Sequence, residues 1–197
     1  KYETGLDRVP IAWGGEDFLN ENTGIYEIEI TAPNSTFTFP TKACLLDNGR
    51  INWGDGTVTE GVINHVYKNP GTYIIKGKCL ISNGDTATVE TVKRALTKIH
   101  KVPAKPLSYR HMFDDCRNLI YADLSCMNAT DLSYAFKDCI KLQTVILGDM
   151  TNCKTVDYLF QNCIELSSVN NMLITNKCTK VSYTFNNCKA LVKFIKK

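Results

Sequence analysis

The chain has 197 residues, of which 44% are hydrophobic and 22% are charged, and its formal net charge is +3. This length accommodates two small folded domains, and the composition is that of a globular rather than a disordered protein. No apolar run approaches the roughly 18 residues of a membrane span. The small net charge does not favour nucleic acid as a partner, and we interpret the basic run between Glu90 and Asp114 as a solvated connector.

The amino-terminal residues have the weakest pattern in the chain. They contain no repeat and no clear strand period, so we expect residues 1–25 to form an arm or a first strand. The numbering starts at Lys1 rather than at Met, as it does in a chain from which a targeting segment has been removed.

Residues 26–92 have the pattern of an antiparallel β-structure. Apolar and polar positions alternate with a period of two, which predicts strands at 26–30, 37–39, 51–53 and 73–75. Gly-rich and Pro-Gly segments at 54–57 and 69–71 predict tight turns between them. We expect Trp53 and Tyr67 to fill the core between two sheets, because they are the largest side chains in this region.

Three motifs in this region resemble a known domain family. Ile-Asn-Trp-Gly-Asp-Gly-Thr at 51–57, His-Val-Tyr at 65–67 and Asn-Pro-Gly-Thr-Tyr at 69–73 resemble the polycystic-kidney-disease (PKD) type of immunoglobulin-like domain. The resemblance implies an antiparallel β-sandwich over residues 26–92. Within it we expect Asp55 to accept hydrogen bonds from turn amides and His65 to orient the segment before the Pro-Gly turn.

The carboxy-terminal half repeats the pattern Phe-x-x-Cys-x-x-Leu four times. The repeats begin at Phe113, Phe136, Phe160 and Phe185, so that successive spacings are 23, 24 and 25 residues. A period in this range is typical of leucine-rich repeats and predicts stacked units in a solenoid. We therefore assign residues 93–197 to about four to five units of 23–25 residues.

Each repeat contains signals for one helix and one strand. Apolar residues four positions before each Phe, and the Cys three positions after it, predict a short amphipathic helix. The Leu of the pattern and an apolar residue three positions later suit a short strand in a parallel sheet. Leu96 and Ile99 have the same register one unit upstream, so the array is expected to begin near Ala95 with a strand.

The nine cysteines indicate neither a disulfide framework nor a metal site. Four of them share one repeat column, where we expect buried thiols: Cys116, Cys139, Cys163 and Cys188. No Cys-x-x-Cys pair occurs, so no metal and no cofactor are expected. A bridge between Cys44 and Cys79 remains open.

The repeats resemble those of the BspA-like leucine-rich repeat surface proteins. The resemblance rests on Ala-Asp-Leu-Ser at 122–125, Thr-Asp-Leu-Ser-Tyr-Ala-Phe at 130–136 and the repeat pattern itself, although the family's Met before Phe is kept only at Met112. It implies a two-domain, β-rich protein in which a PKD-like β-sandwich precedes an α/β leucine-rich-repeat-type solenoid. It also implies a non-enzymatic protein, displayed outside the cell on bacterial surfaces or on phage particles, that adheres to host or bacterial molecules.

The predicted strands expose two columns of side chains that form our candidate contact face. The first column is Lys98, Tyr121, Thr144, Ser168 and Lys193, and the second is His100, Asp123, Ile146, Asn170 and Ile195. Such a mixed polar and aromatic stripe suits a protein or glycan partner, although simple solvation would explain the same residues.

Catalysis has little support in the sequence. Three histidines and nine cysteines allow a Cys–His pair to be imagined, but the repeat cysteines fall on an apolar face that disfavours reactive thiolates. Phosphate-binding glycine loops and the usual hydrolase and zinc-protease motifs are absent from the sequence.

Two functions therefore remain. The chain is an adhesin-like binding module of the cell surface or extracellular space, or it is a structural component of a larger particle such as a virion. For the second function we expect contacts through the amino-terminal arm and the carboxy-terminal repeat, because the array ends at Lys197 without a polar terminal unit.

Overall fold

The fold is taken from a computed structural model that describes residues 22–40, 49–81, 89–104 and 106–191. It is rich in β-strand. Its elements, in chain order, are β1 (Gly24–Ile30), β2 (Ser35–Thr38), β3 (Ile51–Asn52), β4 (Val58–Thr59), β5 (Asn64–Tyr67), β6 (Gly71–Gly77), α1 (Glu90–Ala95), β7 (Leu96–Lys101), β8 (Pro106–Ser108), β9 (Tyr121–Asp123), β10 (Asn128–Asp131), β11 (Thr144–Ile146) and β12 (Ser168–Asn170).

The amino-terminal strands form two layers. β1, β6, β3 and β4 pair antiparallel in one sheet, and β2 pairs antiparallel with β5 in another. Trp53 and Tyr67 are fully buried, as predicted, and the Tyr67 hydroxyl donates a hydrogen bond to the Trp53 carbonyl oxygen at 2.8 Å. The alternation of the sequence therefore placed the strands and the core of this region correctly.

The Gly-Asp-Gly turn connects β3 to β4 as expected. Gly54 has a φ of 87°, and a Cβ there would lie 2.7 Å from the carbonyl oxygen of Ile74, so only glycine fits without strain. The Asp55 carboxylate accepts a hydrogen bond from the Thr57 amide at 3.0 Å and lies 2.7 Å from Nε2 of His65. The His65 ring stacks on Trp53 with centroids 5.1 Å apart. The structural roles expected for Asp55 and His65 are thus observed.

One large sheet runs through both halves of the chain. β1 pairs with β6 on one side and with β7 on the other, which gives an eight-stranded mixed sheet in the order β12-β11-β9-β7-β1-β6-β3-β4. The expected boundary between residues 92 and 93 lies within α1, and the sheet continues across it. Most of the expected amino-terminal arm lies outside the described residues.

The strands of the repeats form the parallel part of that sheet. Ala122 pairs with Ile99 on one side and with Val145 on the other, and Val145 pairs with Val169. The predicted strands, their parallel direction and their register are therefore confirmed over the described repeats. A smaller parallel pair, β8 with β10, lies apart from this sheet.

The predicted repeat helices are wrong. The segments 109–116, 132–139, 156–163 and 181–188, which we call the turn segments, consist almost entirely of hydrogen-bonded turns. Each contains two residues with positive φ, one two positions before the Phe and one two positions after it, as in Tyr134 (60°) and Asp138 (61°). A left-handed residue cannot continue an α-helix, so the fold lacks the α-helical layer expected of the repeats.

Backbone hydrogen bonds join the turn segments in one direction. Four amides of each segment donate to carbonyl oxygens of the following segment, at each of the three interfaces. Phe113 N–H, for example, donates to the Ala135 carbonyl oxygen, and Phe136 N–H to that of Leu159, both at 2.9 Å. Alternating right- and left-handed residues point successive amides to the same side, which explains this one-way pattern.

Two ladders of stacked rings follow the same direction. The first joins the rings two positions before each Phe, with centroids 4.5–5.0 Å apart, and consists of His111, Tyr134, Tyr158 and Tyr183. The second joins the pattern phenylalanines at 5.0–5.6 Å and consists of Phe113, Phe136, Phe160 and Phe185. The first ladder lies at the surface and the second in the core, except at Phe185.

The cysteine column is buried, as expected. Cys116, Cys139, Cys163 and Cys188 retain at most 2% of their accessible surface, and all four are thiols. Burial raises the pKa of each of them. The question of a bridge between Cys44 and Cys79 lies outside the described residues, because Cys44 belongs to the segment 41–48.

Candidate partner-binding surface

The first predicted column lies in register across the parallel strands. Tyr121 pairs with Lys98 on one side and with Thr144 on the other, and Thr144 pairs with Ser168. All four side chains are half-buried. Strands of equal direction and register carry side chains at the same level to the same face, so the column is continuous. Lys193, its fifth member, lies outside the described residues.

The charge of Lys98 is compensated by a residue that sequence reasoning missed. Its Nζ lies 3.0 Å from Oε1 of Glu27 on the neighbouring strand β1, and the same carboxylate accepts a hydrogen bond from Thr97 Oγ1. Burial alone would raise the pKa of Glu27, but the hydrogen bonds from Lys98 and Thr97 outweigh it and the pKa is lowered. The alternation of β1 places Glu27 on the outer face, whereas its pairing with β7 leaves no signal in the sequence.

His100 completes this polar cluster. Its Nε2 lies 3.5 Å from Oε2 of Glu27, and its ring centroid lies 6.4 Å from that of Tyr121. Burial lowers the pKa of His100, and Glu27 opposes that effect only in part. The imidazole is therefore mostly neutral at pH 7, and the cluster of Glu27, Lys98 and His100 has almost no net charge.

The second column is less exposed than expected at one position. Ile146 pairs with Asp123 and with Asn170, so these three residues are in register. Asp123, however, is only 6% exposed, and its carboxylate accepts a hydrogen bond from the Ser125 amide at 2.9 Å. The carboxylate is occupied by the turn after β9, which corrects the expectation of an exposed contact residue. Ile195 lies outside the described residues.

The accessible part of this sheet face is consequently almost uncharged. Lys98 is paired and Asp123 is buried, which leaves phenol, hydroxyl, amide and aliphatic groups. These belong to Tyr121, Thr144, Ile146, Ser168 and Asn170. Side chains of this kind form hydrogen bonds and apolar contacts with neutral ligands, and they provide no electrostatic attraction for a phosphate backbone.

A second surface lies at the last turn segment, 181–188. Val181 is 51% exposed and Phe185 is 41% exposed, whereas Val156 and Phe160, at the same positions one repeat earlier, are fully buried. The following segment covers these positions in the earlier repeats. We call the uncovered side of segment 181–188 the terminal face.

The charged cleft beside α1 and the histidines were also considered as reactive sites. The cleft has a volume of about 490 Å³, and within it Lys93 and Arg117 both contact Asp115, at 3.5 and 2.6 Å. The histidines His65, His100 and His111 each contact a carboxylate. Within residues 22–40, 49–81, 89–104 and 106–191, no group of three or more His, Cys, Asp or Glu side chains is arranged to hold a metal ion.

Comparisons with protein-family models, with curated proteins and with solved structures gave no significant match. Among the described helical segments, none has the length and apolar character that a membrane-spanning helix requires.

Proposed function

We propose that this chain is a non-enzymatic, surface-displayed binding or adhesion protein that holds a protein or glycan on the sheet face of its repeats. The observation that carries the proposal is the in-register column of Lys98, Tyr121, Thr144 and Ser168 on four parallel strands. Repeated strands display a long, regular row of side chains, and such rows suit extended partners.

The proposal includes the resemblances drawn from the sequence. Buried Trp53 and Tyr67 and the Asp55–His65 contact support a PKD-like, immunoglobulin-type domain in the amino-terminal half. The parallel strands and stacked turn segments support a BspA-like leucine-rich repeat solenoid in the other half, although its turns replace the usual helices. Both resemblances favour an extracellular or cell-surface location.

The neutrality of the sheet face narrows the partner. Paired Lys98 and buried Asp123 remove the charges that a nucleic acid or a strongly acidic protein would require. A glycan, or a polar protein segment, fits the phenol, hydroxyl and amide groups that remain.

The proposal is tested by binding measurements on arrays of host glycans and extracellular proteins. The double variant Tyr121→Ala/Ser168→Ala should weaken binding of the ligand found by roughly tenfold or more, because each loses direct contacts. Asn176→Ala, at an exposed position away from the sheet, is the matched control and should bind like the native chain. Equal binding by all three proteins, with the fold intact, would reject the sheet face.

A structural role in a larger particle, such as a virion, is the second candidate. The apolar terminal face favours it, because Val181, Tyr183 and Phe185 are exposed where the preceding repeats are covered. The native mass by light scattering, with a free-thiol count on the same sample, separates the two functions. A monomer favours the adhesion module, and a defined assembly with reduced thiols favours the structural component.

A further inference from the structure

The terminal face has two properties that together define what can bind to it. The first is its rings. Tyr183 stacks on Tyr158 at 5.0 Å and Phe185 stacks on Phe160 at 5.5 Å, so each ring has one covered face. With 59% and 41% of their surface exposed, the opposite faces of Tyr183 and Phe185 are open. Both ladders thus end in rings that are ready to stack on another aromatic group.

The second property is a row of backbone donors. At every earlier interface, the amides equivalent to those of Val181, Tyr183, Phe185 and Asn187 donate to the next turn segment. At the terminal face these four amides have no acceptor among the residues that the structure describes. The carbonyl oxygens between them face the opposite way and already accept from segment 156–163. The terminal face therefore displays donors and no acceptors, which gives it a positive potential.

A second copy of the chain does not complement this face. Two terminal faces would oppose donors with donors and leave both rows unsatisfied. The other end of the stack is covered, because Tyr109, Met112 and Phe113 are buried, so one copy cannot add its first turn segment to another copy's last. The occupant must supply acceptors and aromatic rings from a different surface.

We propose that the terminal face binds a polypeptide segment of another protein that adds one more layer to the stack. The segment presents backbone carbonyl oxygens at two-residue intervals to the four amides, and an aromatic-x-aromatic pair to Tyr183 and Phe185. This is the arrangement by which segment 156–163 already receives its neighbour, and it extends strand addition to a stack of turns. The inference concerns a surface distinct from the sheet face and holds for either proposed function.

The first experiment measures amide hydrogen exchange in the native chain. The amides of Tyr183 and Phe185 should exchange much faster than those of Tyr158 and Phe160, which have acceptors at 2.8 and 2.9 Å. Equal protection at the two sets of positions would mean that the terminal face is already covered and would overturn the proposal.

The second experiment titrates the full chain with a synthetic peptide. The peptide copies residues 153–170, kept reduced, because that stretch includes the carbonyl oxygens and rings of an accepting layer. We expect binding with a dissociation constant of about 1 mM or tighter, since the peptide is ordered only on docking. Protection should appear at the amides of Tyr183 and Phe185.

Two matched controls make the result specific. A peptide with Tyr158→Ala and Phe160→Ala should bind at least ~10-fold more weakly, because it cannot stack. The Phe185→Glu variant of the chain should lose binding of the native peptide to a similar degree, while its sheet face remains intact. Absence of binding at millimolar peptide, or protection of the same amides by an oligosaccharide instead, would overturn the proposal.

Discussion

The thiol of Cys139 donates a hydrogen bond to the carbonyl oxygen of Phe113, one repeat earlier, at 3.1 Å. The same carbonyl oxygen accepts the amide of Cys116 within its own repeat, also at 3.1 Å. Cys163 and Cys188 repeat this contact with Phe136 and Phe160, each at 3.0 Å. The Cys of the pattern is therefore both a small apolar filler and the donor that satisfies a buried carbonyl oxygen, which neither alanine nor valine could do.

This contact predicts that the column thiols are inert in the native chain. Burial raises the pKa of the Cys116, Cys139 and Cys163 thiols and excludes the reagent. With a chromogenic disulfide reagent at pH 8, we expect them to react at least ~100-fold more slowly than in guanidinium. Half-buried Cys126 is the internal control and should react in the native state. One fast-reacting thiol in the column would contradict the prediction and reopen the question of catalysis.

The sequence predicted the strands of the repeats because their spacing leaves few alternatives. With Leu and a second apolar residue recurring every 23–25 residues, the registers of Tyr121, Thr144 and Ser168 follow directly. The core of the amino-terminal half was equally accessible, because the alternation around Trp53 and the Trp-Gly-Asp-Gly turn point to the same fold.

The turn segments were mispredicted because two structures share one spacing. Apolar residues at Phe −4, Phe and Phe +3 line one side of a helix, but they also line one side of consecutive turns. The signal that separates them is the recurrent Asp or Asn two positions after the Phe, at Asp115, Asp138, Asn162 and Asn187. These residue types tolerate the left-handed conformation best after glycine.

The shared sheet and the Glu27 cluster were beyond reach for a different reason. The pairing of β1 with β7 joins residues about 70 positions apart, such as Glu27 and Lys98. Both strands look the same whether they lie at an edge or in the middle of a sheet, so nothing local specifies their partner.

The same substitution at two buried tyrosines should have opposite effects on stability. Tyr67 Oη donates to the Trp53 carbonyl oxygen at 2.8 Å, so Tyr67→Phe leaves a buried acceptor unpaired and should cost about 1–3 kcal/mol. Tyr109 Oη is buried without a hydrogen-bond partner among the described residues, so Tyr109→Phe should be neutral or stabilising. Urea unfolding of the two variants checks this, and a loss of equal size at both positions would contradict it.

Asn162 should resist replacement because its backbone is left-handed. Its φ is 62°, and its side-chain amide donates to Asp138 Oδ1 at 2.6 Å. Asn162→Ala loses this bond and forces a Cβ-bearing residue without local hydrogen bonding into the left-handed region, at a cost of about 1–2 kcal/mol. Asn162→Gly should cost less, because glycine adopts the conformation freely. In thermal unfolding the order should be native, Gly, then Ala, and the exposed control Asn176→Ala should change little.

His100 should make the protein less stable in mildly acidic solution. Burial lowers the pKa of His100 below its usual value of 6.5, while the unfolded chain titrates near that value. The unfolded state therefore binds the proton more readily, and stability should fall as the pH drops from about 6.5 through the folded pKa. Glu27, whose pKa is lowered from 4.5, contributes only at lower pH. His100→Gln should flatten the urea midpoint between pH 7 and 5, and an unchanged slope would assign the effect elsewhere.

The two ends of the phenylalanine ladder should differ in how much they stabilise the fold. Phe160 is fully buried between Phe136 and Phe185, so Phe160→Ala opens a cavity and should cost about 3–5 kcal/mol. Phe185 has the same role in the pattern but is 41% exposed and stacks on one side only, so Phe185→Ala should cost roughly half as much. Chemical unfolding measures both losses. Losses of equal size would show that the open side of Phe185 is covered in solution, whereas the expected difference would show that the last layer of the stack is available to another chain.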